Sequence, residues 1–263
     1  MTPENYERFT HELTQTLSNN EHVIGIIAVG SMAAQDYFPD QWSDHDFFVI
    51  VQSGFQESFR NDLRWLPYSE EIVFSFRETA HGVKVLYRDA HLLEFAVFDP
   101  QELHLAQINR YRILLDRSNV ETQMRNIRKR TAEGTEPKNI HWLFGQFLTN
   151  LLVGVGRYHR GEKLSGHFFV KQNALRNLLQ LCHACLDSAK KSLLDDLDPF
   201  RRLEFAFPEI GEELNRIVAL ETPESALEML RFAVENLSDR IPGYPEPAVA
   251  AVNQRLRNTE KIK

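Results

Sequence analysis

Val23-Ile24-Gly25-Ile26-Ile27-Ala28-Val29-Gly30-Ser31, resumed after twelve residues by Asp44-His45-Asp46-Phe47-Phe48-Val49-Ile50-Val51, decides how this chain is read. Both apolar runs have strand length; the first stops at a glycine and the second is led in by two carboxylates. A strand alternates its side chains, so Asp44 and Asp46 project to one side and His45 to the other. Two carboxylates about 7 Å apart along one strand face can share or bridge hard divalent ions. At the mouth of a buried strand they gain nothing apolar, and their mutual repulsion is costly without a cation. Gly30 lets the backbone turn and approach a phosphate closely, and Ser31 adds a hydroxyl donor.

Working outward, Thr2-Pro3 is a cap and first-turn pair, and Tyr6, Phe9, Leu13 and Leu17 recur at helical spacing until Ser18-Asn19-Asn20. Residues 56–66 read as a helix. Strands are expected over Ile72–Phe76, Val83–Tyr87 and Leu92–Phe98, with Arg112–Leu115 as a short further candidate. In the Leu92–Phe98 run the odd positions are apolar, and Glu94 falls on the opposite face beside the small Ala96. A lone acid in an apolar strand needs a partner, and a metal held jointly with Asp44 and Asp46 would supply one. Three carboxylates and two metal ions suit in-line phosphoryl chemistry. Thr131-Ala132-Glu133-Gly134-Thr135-Glu136-Pro137 is polar and carries Gly and Pro, so it reads as a linker. Beyond it come helical stripes: Ile140, Leu143, Phe144, Phe147, Leu151, Val155 and Tyr158, then Leu175, Leu178, Cys182, Cys185 and Ala189. Thr222-Pro223-Glu224 starts another helix. The expected class is α+β: a small mixed-sheet domain over 1–130, followed by an all-helical bundle over 131–263.

The 263 residues and their 43% hydrophobic content support a proper core. The net charge of -7 is uneven: residues 1–130 carry 19 acidic against 13 basic side chains, residues 131–263 carry 18 against 17. An acidic half repels a polyphosphate backbone, so DNA and long RNA are not expected partners, whereas a cationic small molecule is steered favourably. Met1 to Glu7 show no basic segment followed by an apolar run, and no stretch nears the roughly 18 apolar residues of a membrane span. Two cysteines are too few for a disulfide framework. A cytoplasmic protein without membrane attachment is expected.

Gly30-Ser31, the long loop ending Trp42-Ser43, and Asp44-His45-Asp46 together resemble the signature of the nucleotidyltransferase superfamily that includes DNA polymerase beta. With a third acid on a later strand and a helical C-terminal half, the chain is most similar to the antibiotic nucleotidyltransferases, the lincosamide enzymes before the aminoglycoside ones. The segment from Phe144 to Tyr158-His159-Arg160-Gly161-Glu162 also resembles the lincosamide group. Two departures stand out: the loop before Asp44 is longer, and the second motif acid is Asp where those enzymes have Glu.

The resemblance implies transfer of a nucleoside monophosphate, AMP from ATP, to a hydroxyl of a small molecule such as a lincosamide or aminoglycoside, with release of pyrophosphate. Gly30 and Ser31 would hold the triphosphate, and Asp44, Asp46 and Glu94 would bind two magnesium ions. Glu94 would also serve as general base, the helical domain would bind the acceptor, and a homodimer is a family expectation. Two other readings are a protein-modifying nucleotidyltransferase of the toxin–antitoxin type and a non-catalytic nucleotide sensor. The helical domain favours the small-molecule acceptor over the first, and retention of all three acids speaks against the second.

Remaining motifs take plainer readings. Cys182-His183-Ala184-Cys185 has the spacing of half a zinc site, but no second pair exists, and its apolar stripe makes it core packing. His45 packs behind the strand. Arg160 and Lys171 read as helix-end caps before triphosphate ligands. Asp195, Asp196 and Asp198 with Arg201 and Arg202 read as a loop with internal ion pairs. Trp42 either stacks on a base or braces the loop.

Overall fold

The computed structural model describes residues 2–33, 39–134, 139–195 and 197–258. The chain divides into two compact units, Met1–Gly134 and Thr135–Lys263.

The first unit is built on a six-stranded mixed sheet. Helix α1 (Pro3–Ser18) starts where the Thr2 side chain accepts the Asn5 N–H at 3.3 Å, and it buries Tyr6, Phe9, Leu13 and Leu17. Strand β1 (Val23–Val29) runs into a 3-10 turn over Gly30–Ala33, and β2 (His45–Val51) returns antiparallel beside it. After helix α2 (Gln56–Asn61) come β3 (Ile72–Arg77), β4 (Gly82–Tyr87), β5 (Leu92–Phe98) and β6 (Tyr111–Asp116). The spatial order is β3-β4-β5-β2-β1-β6, with β5 parallel to β2. Tyr6, Phe9, Leu13 and Leu17 cover one sheet face, made of Phe47, Val49, Val51, Leu93, Phe95 and Val97. The other face, with Ile27, Ile50 and Phe98, is covered by Val120, Met124 and Ile127 of helix α3 (Val120–Gly134). Burial from both sides explains why β1 and β2 read as unbroken apolar runs.

Two expectations for the first unit are corrected. The helix expected over 56–66 ends at Asn61, because Asp62 is extended and accepts both the Arg64 N–H at 3.1 Å and its guanidinium at 2.9 Å. That local turn competes with helix continuation, and Pro67 comes soon after. The linker expected over 131–137 is helical through Gly134, and Thr135 to Pro137 lie outside the described residues. Helix α3 begins where Asp116 accepts the N–H groups of Ser118, Val120 and Glu121. It is retained near its end because the buried Thr131 hydroxyl accepts the Ile108 N–H at 3.2 Å.

The second unit is helical. Helix α4 (Ile140–His159) buries Leu143, Phe144, Phe147, Leu151 and Val155 along one stripe. Helix α5 (Lys163–His167) passes through a π-helical segment, Phe168–Ala174, into α6 (Leu175–Cys185). Next come α7 (Leu203–Ala206), α8 (Pro208–Ala219), α9 (Thr222–Leu237) and α10 (Glu246–Asn258). Of the expected stripe Leu175, Leu178 and Cys182 are buried, but α6 ends at Cys185 with Leu186 extended, so Ala189 falls outside the helix; α9 starts at Thr222-Pro223. The architecture is thus α+β, a mixed sheet followed by helices. Among the described residues no helix is long and apolar enough to cross a membrane.

Thr131→Val strands the buried Ile108 N–H and should cost about 1–3 kcal/mol in urea unfolding, whereas Thr131→Ser should stay near wild type. Equal stability of all three proteins would contradict the placement of the end of α3.

Candidate active site

The alternation of β2 sorts Asp44-His45-Asp46 by face. His45 is fully buried towards α1, where its ring stacks on Tyr6 with centroids 3.7 Å apart. Its Nε2 lies 3.2 Å from the Tyr6 carbonyl and 3.0 Å from Thr10 Oγ1, and its Nδ1 lies 2.8 Å from His91 Nε2. With Nε2–H donating to the Tyr6 carbonyl, Nδ1 is left to accept the N–H of His91. Burial, then the neighbouring His91, pulls the His45 pKa down to about 3, and burial pulls His91 to about 4. Both imidazoles are therefore neutral at pH 7. His45 is packed behind the strand, in agreement with the alternation of the sequence.

Asp44 and Asp46 are half-buried on the opposite side. Glu94 joins them because β5 pairs parallel with β2 and places Glu94 directly beside Asp46. One carboxylate oxygen from each of the three lies within 4.8 Å of the others, closer than the strand rise alone would bring the two aspartates. Leu93, Phe95 and Val97 point into the core, so the period-2 reading that set Glu94 on the opposite face matches its position.

Gly30 sits at φ 55°, and a Cβ there would lie 2.3 Å from Asp46 Oδ2. The glycine is thus required by the Asp46 carboxylate as well as by its left-handed backbone. Ser31 is buried next to it. Its Oγ donates to the Asp44 carbonyl at 3.3 Å, and the Tyr6 hydroxyl donates to the same carbonyl at 2.8 Å. Burial, helped by Asp46 and Asp44, raises the Tyr6 pKa well above the usual phenol range, so the hydroxyl stays a donor. Arg112 on β6 holds the turn from the other end, donating to the Met32 carbonyl at 3.1 Å.

Two residues of this constellation are not evident from sequence. Tyr6 reads only as helix core; its hydroxyl, on a stripe otherwise made of Phe9, Leu13 and Leu17, is the available signal. Lys84 stands between the buried Val83 and Val85, hence on the face of Glu94. Its Nζ lies 2.8 Å from Glu94 Oε1 and 2.9 Å from Glu78 Oε1, and these bonds, Glu94 first, push its pKa up. The partner expected for Glu94 is thus in part a lysine.

The remaining motifs have structural partners of their own. Trp42 is 86% exposed on a turn in which Asp40 Oδ1 accepts the Trp42 N–H at 2.8 Å. Cys182 is buried with its thiol pushed up to about 12, and both cysteines are free. Arg160 pairs with Glu162 at 3.2 Å, and Lys171 donates to the Leu220 carbonyl after α8. Asp195 accepts the Leu197 N–H and pairs with Arg201 at 3.6 Å, Asp198 pairs with Arg176 at 3.8 Å, and Asp196 lies outside the described residues. A cavity of about 440 Å³ in the first unit, lined by Phe9, Tyr68, Tyr87 and His91, is not at the acids. The polar groups around it satisfy one another, Arg8 with Asn5 and Arg88 with Glu71.

No family model matches the chain, and no curated protein matches it. Among solved structures it is similar to an aminoglycoside 6-adenyltransferase from Bacillus subtilis, with 12% identity over 96% of this chain and 90% of the other, TM-score 0.31. It is also similar to the STING-associated CdnE c-di-GMP synthase of Capnocytophaga granulosa, with 13% identity over 98% and 80%, TM-score 0.31. A third is the CD-NTase CdnG of Bradyrhizobium diazoefficiens in complex with GTP, with 11% identity over 99% and 87%, TM-score 0.26.

Gly30→Ala should destabilise more than Gly243→Ala. Both glycines have positive φ, at 55° and 64°, but nothing lies within 4 Å of a Cβ at Gly243. The backbone penalty of about 1–2 kcal/mol is common to both, and only Gly30→Ala also displaces Asp46; equal losses would remove the contact from the account.

The neutral histidines set a second expectation. With the folded pKa depressed below the unfolded 6.5, the stabilisation is complete above pH 6.5 and is lost as pH falls towards 3. Urea midpoints should fall from pH 6.5 downward. His45 should contribute up to about 1.4 kcal/mol per pH unit, and His45→Phe should flatten that slope; an unchanged slope would exclude the imidazole as its source.

Proposed function

We propose that the chain is a metal-dependent nucleotidyltransferase that moves a nucleoside monophosphate, AMP from ATP, to a hydroxyl of a small molecule. The observation that carries the reading is the convergence of Asp44, Asp46 and Glu94 within 4.8 Å beside the Gly30-Ser31 turn. Three carboxylates so close repel one another, and a cation relieves that repulsion. An all-oxygen donor set suits magnesium, and Gly30 keeps clear the space that the Asp46 carboxylate uses. The donor set therefore fits the two ions that this chemistry employs, with Asp44, Asp46 and Glu94 as their ligands. Such ions supply charge neutralisation of the phosphates and of the developing oxyanion.

The protein's own part is positioning. The tight turn at Gly30-Ser31 receives the triphosphate, and Tyr6 and Ser31 fix the backbone of Asp44. The acceptor oxygen bonds to the α-phosphorus as the bond to the bridging oxygen of pyrophosphate breaks, and the hydroxyl proton passes to the Glu94 carboxylate. The excess of acidic side chains in residues 1–130 favours a cationic acceptor. The helical part, 131–263, which holds none of the three acids, is assigned the choice of acceptor.

Pyrophosphate release measured with magnesium and each triphosphate, across lincosamides, aminoglycosides and metabolites, tests the reading. Asp46→Asn should lower the rate about 100-fold or more. Absence of turnover together with absence of metal binding would sink the assignment, and full turnover in Glu94→Gln would remove Glu94 as proton acceptor.

A further inference from the structure

The sheet lays three charged residues in one row across adjacent strands. Lys84 on β4 is the register partner of Glu94 on β5, and Glu94 is the register partner of Asp46 on β2. Glu94 therefore stands between an ammonium and a carboxylate, and its Oε1 is already taken by Lys84 at 2.8 Å. The pair is partly shielded, with the side chains 24% and 35% exposed, so its electrostatic interaction is less screened than on an open surface. Lys84 has a second acid in reach, Glu78 at 2.9 Å, placed by the hairpin that joins β3 to β4. An ammonium that gives up Glu94 is therefore not left unpaired.

Resting on the metal reading above, we infer that Lys84 is an internal counter-cation that competes with divalent ions for Glu94 and so sets the metal affinity of the acidic site. Glu78 is the carboxylate to which Lys84 retreats when a divalent ion engages Glu94. The physical basis is the sign of the charges. A positive charge bonded to one ligand opposes the arrival of another cation there, and an alternative partner lowers the cost of moving it. In the absence of nucleotide, the site is held to weaker metal binding than its three carboxylates alone would give.

The test is Mn2+ binding to the full chain without nucleotide, measured by calorimetry and by electron paramagnetic resonance of the free ion. Lys84→Met should tighten Mn2+ binding on the order of tenfold, and Lys84→Arg, which keeps the charge, should stay near wild type. Glu78→Gln should weaken binding about threefold in the wild-type background and much less in the Lys84→Met background, a coupling that a purely structural role does not produce. Unchanged or weaker binding in Lys84→Met, with binding still abolished by Asp46→Asn, overturns the inference alone. An equal loss from Glu78→Gln in both backgrounds overturns the retreat to Glu78. Wild-type protein that binds no Mn2+, or binds it regardless of Asp46→Asn, overturns the metal reading itself. Should Lys84→Met fail to fold, Lys84→Gln, which also removes the charge, takes its place with the same expected and overturning outcomes.

Discussion

The parallel pairing of β2 with β5 is the constraint on which the rest of the site depends. It puts Phe47 beside Phe95 and Val49 beside Val97 in the core beneath α1, and by the same register Asp46 beside Glu94 on the other face. Side-chain period in a strand is two, so a slip of one residue would turn acids inward and hydrophobes outward. Such a slip would set charge against Leu13 and Leu17 with no partner, at a cost no local rearrangement offsets. Core packing thus fixes the acids, although none of the three belongs to the core.

Around that register the local electrostatics divide cleanly between the two faces. Behind β2, His45 and His91 stay uncharged because burial makes protonation expensive, and they spend their ring nitrogens on each other and on the Tyr6 carbonyl. In front, negative charge accumulates and is met from within the protein by Lys84. The Tyr6 hydroxyl reaches from α1 to the start of β2, where it donates to the backbone carbonyl of Asp44. A residue type that reads as ordinary core therefore places the strand end that bears the two aspartates.

Much of this was legible in the sequence because it depends on periodicity. The bounds of β1 and β5 coincide with their apolar runs, and alternation alone separated His45 from its flanking aspartates and Glu94 from its neighbours. What escaped depends on partners distant along the chain. The stretch 131–137 reads as a linker because of Gly134 and Pro137, but its first residue, Thr131, answers to Ile108, 23 residues away, and belongs to α3. Helix α2 stopped early for a local reason, the Asp62–Arg64 turn, which helical spacing cannot reveal. The alternation of β4 says only that Lys84 faces away from the core beside Val83 and Val85, and only the lateral order of β4, β5 and β2 gives it carboxylate company.

The contact between Gly30 and Asp46 has a reach beyond its own turn. Because a Cβ at position 30 and the Asp46 oxygen claim the same volume, the two positions are not independent choices. A side chain at 30 becomes compatible only with an Asp46 rotamer that has left the cluster, and a longer acid at 46 would have to find its oxygens elsewhere. Among variants of this chain, substitutions at 30 and 46 are therefore expected to come in compensating pairs, each position recording the shape of the other.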